Sequence, residues 1–209
     1  DPTGVACCSK PDVDCGAAGT DEMPDWDVSL VTDMSELFMF PVGRDFNADI
    51  SRWDVSSVTT MKNMFKDADA FNQDIGAWNT SSVTTMYGMF TYTAAFNQDL
   101  SRWDVSSVTD MGYMFDEADA FNQHLSRWDV SSVTKMHGMF SRAAAFNTMP
   151  VGWDTSKVTG SINMFNSADA WKARFQGGNN NTLPGGGWTR IDNACDASLA
   201  PLNGDVGNC

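Results

Sequence analysis

The chain has 209 residues, with 27 acidic against 13 basic side chains, a formal net charge of −14 and a sequence pI near 4.2. That balance excludes nucleic acid as a partner, because phosphate contacts need Lys and Arg, and it gains nothing from an anionic membrane face. No apolar run approaches the roughly 18 residues a bilayer span requires.

Residues 1–25 read as an N-terminal cap. The start Asp1-Pro2 lacks an initiator Met, a basic n-region and an apolar h-region, as expected of a chain whose signal peptide has been removed or of a segment of a longer protein. Cys7, Cys8 and Cys15 lie here; Cys195 and Cys209 lie near the other end, and no cysteine falls between. Disulfides stapling the two ends in an oxidising, extracellular setting fit this distribution. The odd count leaves one thiol for a covalent partner. A zinc site fits less well, because the paired C-x-x-C spacing is missing and the only histidines, His124 and His137, stand inside the central region.

That central region, 26–171, repeats. Trp53, Trp78, Trp103, Trp128 and Trp153 recur every 25 residues. Phe46, Phe71, Phe96, Phe121 and Phe146 keep the same step, as do Val58 through Val158 and the pairs from Met64-Phe65 to Met164-Phe165. A fixed period of this size means one supersecondary unit stacked on copies of itself. The expected fold is an elongated α/β solenoid, leucine-rich-repeat-like, of about six coils, each a short strand plus a helical turn.

Residues 71–95 set out the unit. Alternation along Phe71-Asn72-Gln73-Asp74-Ile75 predicts a strand with Phe71, Gln73 and Ile75 inward, and Gln73, Gln98 and Gln123 paired amide to amide. Trp78 turns a corner into a Ser/Thr hinge whose side chains cap local backbone N–H groups. Val83, Met86, Met89 and Phe90 then have helical spacing, with Ser82 as N-cap. The first coil carries two extra residues around Phe40-Pro41-Val42-Gly43; the last replaces the repeated Met by Ser161 and closes on Trp171, as capping repeats do. Residues 172–209 form a Gly/Asn-rich C-terminal cap leading toward a Cys-rich module.

The unit Phe-Asn-Gln-Asp-Ile/Leu-Ser-x-Trp-Asp-Val-Ser-Ser-Val-Thr-x-Met-x-x-Met-Phe-x-x-Ala, present at 46–68 and 96–118, resembles the repeat of BspA-type leucine-rich-repeat surface proteins. The resemblance covers about 26–171. It implies a leucine-rich-repeat-like solenoid on a secreted or surface protein of a bacterium, mycoplasma or unicellular eukaryote, and a role in adhesion or matrix binding. It brings no catalytic residues. The stretch 200–209 is similar to the opening of Cys-rich, sushi-like repeats in large protist surface proteins, which implies a longer modular parent.

Several columns have two readings. Asp49, Asp74 and Asp99, continued by His124, offer hard oxygen ligands that calcium between coils would use; otherwise they form solvated columns. Asn72, Asn97 and Asn122, with Asp74 and Asp99, are display columns for a multivalent partner. Asn79 and Asn180 head glycosylation sequons, and a hexose on Asn79 is expected. The Met columns read as core, the Trp column as corner filler rather than a sugar platform, and Thr59 through Thr159 as backbone caps rather than an ice-binding ladder. No Ser-His-Asp set, phosphate loop or metalloprotease motif occurs.

The expected function is therefore a non-enzymatic extracellular or cell-surface module, without a resident cofactor, for adhesion to proteins or glycans by avidity. The alternatives are a structural subunit of a filament or surface layer, through self-assembly, and an enzyme using two carboxylates on polysaccharide.

Overall fold

The structure is a computed structural model that describes residues 23–40 and 43–176 together with the backbone of Thr189–Arg190. Coils are numbered 1 (26–45), 2 (46–70), 3 (71–95), 4 (96–120), 5 (121–145) and 6 (146–170).

Backbone hydrogen bonds hold successive coils in register. In coil 3, Thr84 N–H donates back to Thr59 O at 2.8 Å, whereas Met86, Gly88, Phe90 and Tyr92 N–H donate forward to Asp110, Gly112, Met114 and Asp116 carbonyls at 2.8–3.0 Å. The residues between, Met89, Thr91 and Thr93, donate to the carbonyl three residues earlier in their own turn. The direction reverses at Thr85, one member of a line of single-residue parallel bridges linking Asp33, Thr60, Thr85, Asp110, Lys135 and Gly160. A coil thus satisfies its buried N–H groups only when both neighbours are present.

The expected α/β solenoid is not what the chain builds. Among the described residues no repeat contains a strand, and the one helix begins only at the last two residues of coil 6. Regular structure among the described residues is confined to one 3₁₀ turn, η1 (Met23–Asp25), one helix, α1 (Asp169–Arg174), and a two-residue antiparallel pair, β1 (Phe175–Gln176) and β2 (Thr189–Arg190). The helical spacing of Val83, Met86, Met89 and Phe90 does bury all four, but left-handed residues interrupt the backbone. Gly88 and Tyr92 have φ of 62° and 59°, and the same two positions are left-handed in coils 2, 4, 5 and 6. A right-handed helix cannot pass through them. Ser82 does not cap: its hydroxyl donates to Ser56 O at 2.8 Å in the preceding coil.

The strand fails for a different reason. Phe71 and Ile75 are buried and Asn72 and Asp74 exposed, as alternation predicts. Yet Asn72 N–H donates to the side-chain Oδ1 of Asn47 (2.9 Å), so a carboxamide occupies the place a ladder carbonyl would take. Asn97, Asn122 and Asn147 repeat the bond at 2.9–3.0 Å. Gln73 Nε2 joins this ladder by donating to Asn47 O and Oδ1, and the expected Gln-to-Gln pairing does not form.

The core is columnar. Phe65, Phe90, Phe115, Phe140 and Phe165 stack at 5.6–5.8 Å between ring centroids, and each lies 3.9–4.0 Å from the phenylalanine, or Trp171, that follows it in the turn. The repeated methionines from Met61 to Met164 are fully buried among them. The tryptophans fill a corner: Trp103 Nε1 donates to Ile75 O at 3.0 Å, Trp128 Nε1 to Leu100 O at 2.9 Å, and their flat faces meet other tryptophans rather than solvent.

Candidate functional site

Once this hydrogen bonding is assigned, most repeated polar groups already have a task. The carboxylates expected to form calcium or display columns are turned onto their own loops. Asp49 Oδ1 accepts from Ser51 N–H (2.9 Å), Asp74 from Gly76 N–H (3.0 Å) and Asp99 from Ser101 N–H (2.8 Å). The Ser51 and Ser101 N–H groups, in first place, hold the carboxyls of Asp49 and Asp99 below the usual range. Among the described residues no three His, Cys, Asp or Glu side chains are grouped to hold a metal ion. His124, in line with these carboxylates, is exposed.

A second set follows each tryptophan. Asp54, Asp104, Asp129 and Asp154 each accept from a serine N–H two residues on, at 3.0 Å. Asn79 does the same at 3.2 Å, taking the Ser81 hydroxyl as well at 2.8 Å, and is exposed. The amide oxygens of Asn72, Asn97 and Asn122 are engaged in the ladder described above. Thr84, Thr109 and Thr134 hydroxyls donate to the preceding threonine carbonyl at 3.0–3.2 Å. Cys7, Cys8, Cys15, Cys195, Cys209 and Asn180 lie outside the described residues.

What differs from coil to coil lies elsewhere. At 25-residue spacing coils 2 to 5 depart from one another singly outside the segment that follows the bridge residue, as at Gly76, Ala77, Asn79, Thr80 and His124, and most strongly within it: Thr60, Lys62, Asn63, Lys66, Asp67 and Asp69 become Thr85, Tyr87, Gly88, Thr91, Tyr92 and Ala94, then Asp110, Gly112, Tyr113, Asp116, Glu117 and Asp119, then Lys135, His137, Gly138, Ser141, Arg142 and Ala144. Because these segments are bonded in register, their side chains form one strip along the stack. All three tyrosines of the chain, Tyr87, Tyr92 and Tyr113, stand in it.

Side chains along the strip interlock. Tyr113 packs edge-on against Tyr87 and His137, at 5.8 and 5.3 Å between centroids. Lys62 lies 5.9 Å from the Tyr87 ring centre. Burial, then the neighbouring Tyr113, Asp110 and Asp116, raise the Tyr87 phenol above its usual range. Arg142 pairs with the nearly buried Asp116 through Nη2 (3.0 Å to Oδ2) and with Glu117 through Nη1 (2.6 Å), and sits 5.9 Å from the Tyr92 ring centre. Lys135 Nζ pairs with Asp110 at 3.2 Å.

From coil 2 onward volume alternates along the strip, whereas Glu36 of coil 1 and Asn63 are both large and meet in a hydrogen bond of 3.4 Å. The left-handed position reads Asn63, Gly88, Tyr113, Gly138, Asn163, and the position six residues later reads Asp69, Ala94, Asp119, Ala144, Asp169. A Cβ on Gly88 would overlap the Asn63 amide, and one on Gly138 would overlap the Tyr113 ring. Asn63 and Tyr113 each lean over the glycine of the next coil. The strip has no periodic signature in the sequence; the informative positions are those where the repeat is broken.

A family described as Mycoplasma protein of unknown function, DUF285, matches residues 14–108 and again 94–181. The chain matches no curated protein and no solved structure.

Proposed function

We propose that this chain, which belongs to the DUF285 family, is a non-enzymatic repeat module of the cell surface or extracellular space that adheres to a protein or glycan through the strip. One observation carries this reading. In coils 2 to 5 the asparagine ladder is constant and the Asp-x-Ser loops change only at Gly76, Asn79 and His124, whereas the positions that vary most are collected on one surface with every tyrosine of the chain. Identical coils need identical internal bonds; a partner needs a pattern. Tyrosine supplies contact area at little conformational cost, which suits such a surface. A partner that spans several coils adds its contacts by avidity. The resemblance to BspA-type adhesion proteins points the same way.

Replacing Lys62, Tyr87 and His137 together by Ser tests the reading, because Gly112 shows that this column tolerates a minimal residue. Attachment to the matrix-protein and glycan surfaces that retain the native chain should weaken roughly tenfold or more, with the melting temperature unchanged. The pair Arg102→Ser and Arg127→Ser, exposed and outside the strip, should bind as the native chain does. A triple variant that attaches normally would remove the strip from consideration.

A further inference from the structure

At the N-terminal end of the strip lies a cleft of about 330 Å³ lined by Phe40, Arg44, Asp67, Asp69 and Tyr92. Three of these residues hold the same register in successive coils: Phe40, Asp67 and Tyr92 N–H groups donate in turn to Lys66, Thr91 and Asp116 carbonyls. An aromatic ring, a carboxylate and another aromatic ring therefore follow one another up the stack. This order is found nowhere else on the strip, since the next two coils place Glu117 and Arg142 at the position.

Coil 1 closes tightly beside the cleft. Gly43 folds so tightly onto the Phe38 backbone that a Cβ there would overlap the Phe38 carbonyl. Phe40 is left 53% exposed, the only aromatic among the largely exposed apolar residues of the described structure. Leaving a phenylalanine in water costs hydrophobic stabilisation, and a partner that covered it would recover that.

Charge selects the partner. Asp69 is neutralised by Arg44, whose Nε lies 3.1 Å from Oδ2. Asp67 has neither an ion pair nor a side-chain hydrogen bond among the described residues. Two rings two coils apart are separated by roughly 10 Å at ladder spacing, so a cation between them, beside Asp67, would lie about 5 Å from each ring, within cation–π reach. Tyr92 already attracts one guanidinium, that of Arg142. The overall charge of −14 would draw a basic partner toward the surface.

We infer that this cleft is the anchor for a lysine or arginine side chain of a basic polypeptide, with Phe40 and Tyr92 as walls and Asp67 as counter-ion. The inference rests on the strip being a binding surface and names its partner class. The test titrates the full chain with a pentapeptide of alternating Lys and Gly, followed by amide chemical shifts, beside the same peptide with acetylated lysines. Saturable shifts centred on Phe40, Arg44, Asp67 and Tyr92 are expected with the first peptide and absent with the second. Phe40→Ala and Asp67→Asn should each weaken binding roughly fivefold or more. Asp119→Asn, which removes the same charge elsewhere on the strip, should change it less than about twofold. Shifts that avoid the cleft, or equal weakening by Asp119→Asn and Asp67→Asn, would overturn the anchor. If the Lys62, Tyr87 and His137 replacement still abolishes attachment in that case, the strip stands and only its cationic partner falls.

Discussion

At the scale of single residues, the asparagine ladder shows how a polar side chain can do the work of a backbone. Asn97 Oδ1 accepts from Asn122 N–H and from Gln123 Nε2, both at 2.9 Å, so one side chain joins coil 4 to coil 5 twice. Asn97→Ala removes that acceptor and should lower unfolding stability by about 1–2 kcal/mol, measurable by denaturant titration; a loss below about 0.3 kcal/mol would mean that water replaces the ladder without cost. The sequence made the apolar positions legible because burial imposes a strict choice: the repeated Phe, Met, Val and Trp are where periodicity puts them, with the tryptophan as corner filler. It did not make hydrogen-bond partners legible. Asn72 and Asp74 both look like outward polar residues in an alternating run, yet one bridges to its neighbouring coil and the other closes its own loop.

At the scale of the turn, the Asp-x-Ser loops give the chain a defined response to acid. Hydrogen bonds from serine hydroxyl and backbone lower the carboxyls of Asp54 and Asp129, and those from serine backbone and hydroxyl lower Asp49, Asp99 and Asp154, all from an ordinary 3.8. A native value below the unfolded one contributes stability that is fully present above 3.8 and lost as pH falls through the lowered native value. The melting temperature should therefore stay level from neutral pH to about pH 4 and drop below it. Asp54→Asn keeps the acceptor, as Asn79 does naturally, while removing one titrating group. It should shrink the acid-induced drop slightly, by lowering stability a little at neutral pH and leaving it unchanged in acid. A drop that begins near neutrality would contradict this account. The expected helix fails at the same scale. Its spacing is real, but the left-handed residues that break it are mostly Asn, Asp, Tyr and Glu, none of which announces a positive φ as a glycine does.

At the scale of the whole molecule, the alternation of large and small side chains makes neighbouring coils unequal. Removing coil 3 (71–95) would bring Asn63 against Tyr113, two side chains that each lean over a glycine. Removing coils 3 and 4 together (71–120) would bring Asn63 against Gly138 and restore the fit. The longer deletion should melt at the higher temperature although it discards twice as much core, against the usual rise of stability with repeat number. The reverse order would show that the alternation has no energetic weight. This pattern also bears on how such a chain lengthens. Slippage during copying that adds one 25-residue unit leaves a mismatched joint, whereas a doublet of 50 inserts cleanly. Descendants of a common ancestor should then differ in length by doublets, and a lineage caught with an odd number should show a compensating exchange to or from glycine at the seam.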